Sequence, residues 1–181
     1  MKKLSLLLGC LTVLAWAGAV AADDAGGKSD LSAATTESCQ IRNQKFHDLL
    51  RPEGANGAVG TRIVLYPAEP WRCMTWKLHR AGESEFHVEN HFTAETFSVK
   101  AGDGFTNVIQ VALAREAGNR PVWRFTKLPD GSYRISDAKS GAALTAVGGG
   151  DRPVRVVVAP WQDKAEQKWE LEKIDPAKLT M

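Results

Sequence analysis

Two short stretches of this chain bring aromatic rings together with hydrogen-bonding groups. In YPAEPWRC, residues 66–73, Tyr66, Glu69 and Trp71 share a loop that Pro67 and Pro70 stiffen. In WQDKAEQ, residues 161–167, Trp161, Asp163 and Gln167 fall within seven positions. An aromatic ring offers a flat apolar face, and a carboxylate or amide offers planar hydrogen-bonding groups. Together these suit a sugar, whose C–H face stacks while its hydroxyls pair. Each residue also has a structural reading. Trp71 fills space over the end of the fold beside Cys73, Trp161 plugs its base, and Gln167 bonds backbone within its own segment.

Other candidate chemistry is thinner. His87, Glu89 and His91 alternate, so a continuous strand would set two imidazoles and a carboxylate on one face. A turn is expected at Asn90, and polar alternation is the ordinary outer face of a strand, so no metal is expected. No Gly-x-Ser-x-Gly, His-Glu-x-x-His or Cys-x-x-Cys occurs, and His47 and His79 have no evident partner. The chain reads as a non-enzyme without a cofactor.

The amino terminus sets the compartment. Lys2 and Lys3 precede a mostly apolar run from Leu4 to Val20, and Ala19-Val20-Ala21 or Val20-Ala21-Ala22 supplies small residues for cleavage. This is the pattern of a secretory signal peptide over residues 1–22, predicting a secreted or periplasmic protein with no membrane insertion once the signal is removed. Leu7-Leu8-Gly9-Cys10 offers a minority alternative, a lipid anchor on Cys10, but the apolar run continues well past it. The chain carries 23 Lys and Arg against 21 Asp and Glu; residues 1–22 hold two lysines and no acid, leaving 21 of each. A balanced charge gives no reason to expect nucleic acid as partner. Residues 23–37 are small and polar and read as a flexible leader, and residues 176–181 as a C-terminal tail. Beyond the signal only Cys39 and Cys73 remain, and in an exported protein such a pair reads as one disulfide.

The elements that position these residues come from a repeat. CQIRN at 39–43, FHVEN at 86–90 and YRISD at 133–137 recur at intervals of 47. Seven residues beyond each closing Asn or Asp comes Leu50, Phe97 or Leu144. A glycine-rich turn, a β-branched run and a tryptophan strand at Trp76, Trp123 or Trp169 follow. Alternation and turn chemistry predict four short strands per copy. Three copies are too few for a propeller, and an open stack would leave raw sheet edges. A closed threefold arrangement of twelve strands avoids both, which predicts an all-β β-trefoil spanning 38–175, with repeats at about 38–84, 85–131 and 132–175. Ile41, Val88 and Ile135 are expected to meet near the axis, with the three tryptophans packed in the core. First and fourth strands of one repeat can lie adjacent, as the Cys39–Cys73 bridge requires.

The third copy, YRISDAKSGAALTAVGGGDRPVRVVVAPWQDKAEQKWELEKI, resembles the ricin B-chain type of β-trefoil through Tyr133-Arg-Ile, Ser140-Gly, the glycine-rich turn and Gln167-x-Trp169. The other copies carry Met74-Thr-Trp76 and Pro121-Val-Trp123, so the Gln occurs once. The resemblance implies carbohydrate binding at up to three shallow sites. Each would use an Asp on the second strand, an aromatic on the third and an Asn before the Gln-x-Trp. Here the Asp place holds Arg51, Ser98 and Thr145; the aromatic place holds Tyr66, Ala112 and Ala159; the Asn place holds Cys73, Arg120 and Glu166. The expectation is therefore a degenerate lectin-like protein that binds glycan through Tyr66 and Trp71 or through Trp161, Asp163, Gln167 and Thr145. The other reading is a monomeric protein-interaction or inhibitor module of the cell envelope.

Overall fold

A computed structural model describes residues 36–102, 105–148 and 152–180. The signal segment, Cys10 and nearly all of the leader lie outside these. Among the described residues twelve strands follow one another through turns and loops, and the helical segments are single 3₁₀ turns. In the first repeat they are β1 (Thr36–Asn43), β2 (Leu49–Pro52), β3 (Ile63–Tyr66) and β4 (Thr75–Arg80). The second has β5 (Glu85–Asn90), β6 (Thr96–Gly102), β7 (Phe105–Val111) and β8 (Trp123–Lys127). The third has β9 (Tyr133–Asp137), β10 (Ala143–Val147), β11 (Val154–Ala159) and β12 (Lys168–Lys173).

The pairings close a ring. β1 pairs with β4, β4 with β5, β5 with β8, β8 with β9, β9 with β12, and β12 returns to β1, all antiparallel. This six-stranded barrel has no free edge. The remaining strands form three hairpins, β2–β3, β6–β7 and β10–β11, and β11 joins the other two through β3 and β7. A barrel of first and fourth strands capped by three hairpins is the β-trefoil.

The core repeats as the sequence does. Trp76, Trp123, Trp169, Ile41, Val88 and Ile135 are fully buried in one cluster with Leu50, Phe97 and Leu144. Each tryptophan faces the residue that opens a repeat: Cys39 opposite Trp76, Phe86 opposite Trp123, Tyr133 opposite Trp169.

That register corrects the disulfide. Cys39 and Cys73 are both free thiols. Cys39 occupies the core place that holds Phe86 and Tyr133 in the other copies, so it looks across at Trp76. Cys73 precedes that strand, in the turn Arg72–Met74, and packs in a separate small cluster with Leu49 and Met74. First and fourth strands do lie side by side, but the pairing puts tryptophan, not cysteine, where a bridge needs its partner.

The last described residue is tied down. Thr180 bridges to Trp71, its N–H donating to Pro70 O at 2.9 Å while its carbonyl accepts from Arg72 N at 3.1 Å. The segment expected as a tail thus braces the loop that carries Trp71.

Candidate functional site

The residues picked out in repeat 1 converge. Tyr66 ends β3 and Trp71 stands before β4, and their rings lie 6.3 Å apart at an interplanar angle of 28°. Gln40 Nε2 donates to Glu69 O at 2.9 Å and holds the loop between them. Arg51 comes up from β2, its guanidinium carbon 4.8 Å from the Tyr66 ring and 5.7 Å from the Trp71 ring. The three groups therefore form a triangle, not a sandwich, since the cation lies to one side of both rings. Arg51 is only 7 % exposed.

A pocket of about 320 Å³ opens here, lined by Arg51, Gly54, Ala55, Trp71, Cys73 and Phe92. That volume is at the small end for ligand pockets. Phe92 belongs to the second repeat, in the turn after Asn90, and is 52 % exposed. Tyr66, beside the pocket, is 40 % exposed. Among the described residues three large apolar side chains are this exposed, and two of them flank this place. Cys73 forms part of the wall. Burial pushes its thiol above the ordinary range while the Arg51 charge pulls the other way, and burial wins.

Sequence reasoning passed over Phe92 and named Arg51 only as a departure from a pattern. The signal for Phe92 was available: the same place holds Lys45 and Lys139 in the other copies. An apolar ring in an exposed turn where both siblings carry lysine sets this turn apart from its copies.

The residues picked out in repeat 3 are spread across structural duties. Gln167 is buried, and all its polar atoms have protein partners. Nε2 donates to Thr145 Oγ1 at 3.0 Å and Pro160 O at 2.9 Å, and Oε1 accepts from Gln162 N at 2.7 Å. Thr145 in turn donates to Ala143 O at 2.8 Å. This amide pins the loop 160–162. Asp163 pairs with Lys168 at 3.0 Å, and Lys168 also reaches Asp130 at 3.1 Å. Those two carboxylates hold the Lys168 ammonium above the usual lysine range. Trp161 is half-buried with the Arg134 guanidinium 5.3 Å from its ring.

The histidine alternation dissolves into separate contacts. His87 Nδ1 lies 3.0 Å from Pro121 O, Glu89 binds Lys77 and His79, and His91 Nε2 lies 3.1 Å from Ser38 Oγ. No metal-holding cluster occurs among the described residues.

This geometry can be set against known proteins. No protein-family model matches the chain, and no curated protein matches it by sequence. Solved structures do match. The designed threefold protein ThreeFoil is 19% identical with a TM-score of 0.68, the match covering 76% of this chain and 99% of that one. A ricin B-like lectin from Macrolepiota procera, solved in complex with lactose, is 14% identical with a TM-score of 0.65, covering 79% of this chain and 99% of the lectin. An exo-β-1,3-galactanase from Clostridium thermocellum is 17% identical with a TM-score of 0.67, over 76% of this chain and 30% of the enzyme. The fold is the β-trefoil, the fold expected from the third repeat's motifs, and the chain shares it with the ricin B-like Macrolepiota lectin.

Proposed function

We propose that this chain is an exported, non-catalytic glycan-binding β-trefoil whose sugar platform lies in repeat 1. The observation that carries this reading is the pocket flanked by Trp71, Tyr66 and Phe92. Exposed rings around a concavity are what a saccharide's C–H face needs, and a soluble protein seldom leaves such rings in water without use. The lactose-bound Macrolepiota lectin lends weight, because it carries the same fold over nearly its whole length. Repeat 3 is the weaker platform. Gln167 spends both amide hydrogens on Thr145 and Pro160, and Thr145 spends its hydroxyl hydrogen on Ala143 O, so neither has a donor left for a sugar hydroxyl. Export rests on the amino-terminal pattern of residues 1–22.

The test is tryptophan fluorescence during titration with a panel of mono- and oligosaccharides. A saturable change that disappears in Trp71→Ala and persists in Trp161→Ala supports repeat 1. Silence across a broad glycan array, together with capture of one specific protein, replaces this reading with the interaction or inhibitor module.

A further inference from the structure

Arg51 is the most unusual side chain in the repeat 1 pocket. It is 7 % exposed, and its partners among the described residues are a backbone carbonyl and two rings, with no acidic residue paired to it. Its Nε donates to Pro52 O at 3.1 Å, and its two terminal nitrogens make no hydrogen bond among those residues. The rings of Tyr66 and Trp71 supply cation–π attraction, worth ~0.5–2 kcal/mol. That attraction supplies no oxygen acceptor to its N–H donors. Those nitrogens are not among the buried atoms left without a partner, so they keep contact with solvent, and a cation otherwise sheltered from water has its free donors available there to a ligand.

The position adds a second argument. Arg51 stands where the resemblance places a sugar-binding Asp, so the charge at that place is reversed. A carboxylate there would accept from neutral hydroxyls; a guanidinium is matched instead to a planar anion that can take two parallel hydrogen bonds. The Cys73 thiol in the same wall stays protonated under its burial and does not neutralise the site.

Resting on the glycan-binding reading, we propose that this pocket selects a carboxylate-bearing sugar, its anion paired with the terminal nitrogens of Arg51 and its ring against Trp71 and Phe92. Arg51 is then the specificity-determining residue. The pocket's other walls are apolar or backbone, so discrimination between an acidic sugar and its neutral analogue falls on one charge.

The experiment uses the full chain and two ligands differing at one carbon, methyl β-D-glucuronide and methyl β-D-glucoside, titrated by calorimetry. The glucuronide is expected to bind at least ~10-fold tighter, in line with a charge-assisted bidentate pair. The margin narrows as sodium chloride rises from ~0.05 to ~0.5 M, and Arg51→Gln removes it. Equal affinity for the two ligands overturns the proposal and leaves glycan binding standing, as does an undiminished preference in Arg51→Gln. Binding of neither sugar overturns the proposal, and the glycan reading is then decided by the broad array alone. Should Arg51→Gln fail to fold, the comparison on the unaltered chain still decides.

Discussion

The indole nitrogen of Trp76 donates a hydrogen bond to the carbonyl oxygen of Leu50 at 2.9 Å. The other repeats make the same bond, Trp123 to Phe97 at 3.1 Å and Trp169 to Leu144 at 3.1 Å. Each ties a fourth strand of the barrel to a second strand of the cap. A buried indole needs a partner for its N–H, and here the partner is backbone, so the bond does not depend on which side chain stands at 50, 97 or 144. That is why Phe97 can replace leucine in the second copy.

Removing one of these rings should be costly. Trp123 is fully buried and packs on Phe97 at 4.8 Å between ring centres. Trp123→Ala loses the ring, opens a cavity and leaves Phe97 O without its donor. The expected loss is ~3–5 kcal/mol, read by denaturant unfolding. Trp123→Phe should lose less, since only the bond and part of the volume go. An unchanged midpoint in Trp123→Ala would contradict the assigned core.

The two cysteines should behave as inert thiols. Burial, with the Glu37 charge adding to it, pushes Cys39 up to about 12. Burial likewise raises Cys73. Little thiolate forms at neutral pH, and reagents have little access. A thiol-reactive dye should leave native protein unlabelled and mark both residues once guanidinium is added. An intact mass lower by two hydrogens would restore the bridge.

The repeat was legible because the core is written three times. Ile41, Val88 and Ile135, and the three tryptophans, fill equivalent places, and a periodic demand leaves a periodic trace. The capped ends of the barrel carry no such demand. Cys39 read as half of a bridge because chemistry by residue type outweighed position, although Phe86 and Tyr133 already marked its place as core. The pocket was half legible. Tyr66 and Trp71 lie close in sequence, while Phe92 arrives from the next repeat and Arg51 from an earlier strand, and only folding brings them together.

A carboxamide stitches neighbouring repeats. Asn90 is fully buried, donates from Nδ2 to Cys73 O at 3.0 Å, and accepts at Oδ1 from Phe92 N and Thr93 N at 3.0 and 3.1 Å. Asn43 does the equivalent toward Glu166 O at 3.1 Å. Asp137, the third member, is partly exposed and accepts only, from Ser140. Asn90→Asp keeps the acceptors and loses the donor, setting a carboxylate against a buried carbonyl. It should cost at least ~2 kcal/mol. Asp137→Asn should leave the melting temperature nearly unchanged, and similar losses at both sites would refute the asymmetry.

The turn after each of these residues needs a left-handed backbone four positions on. His47, Ala94 and Gly141 hold it with φ of 58°, 57° and 72°, and each donates its N–H back to Asn43, Asn90 or Asp137. Only the third copy uses the residue that adopts this conformation without penalty. Ala94→Gly should therefore stabilise the protein by ~0.5–1 kcal/mol, the relief of φ strain exceeding the extra freedom glycine has when unfolded. The reverse change isolates the backbone term: a Cβ on Gly141 would meet no atom within 4 Å, so any loss in Gly141→Ala comes from φ alone. Urea midpoints that move up for Ala94→Gly and down for Gly141→Ala bear this out. A shift of both in one direction would mean that packing around the turn, and not its backbone, decides the sign.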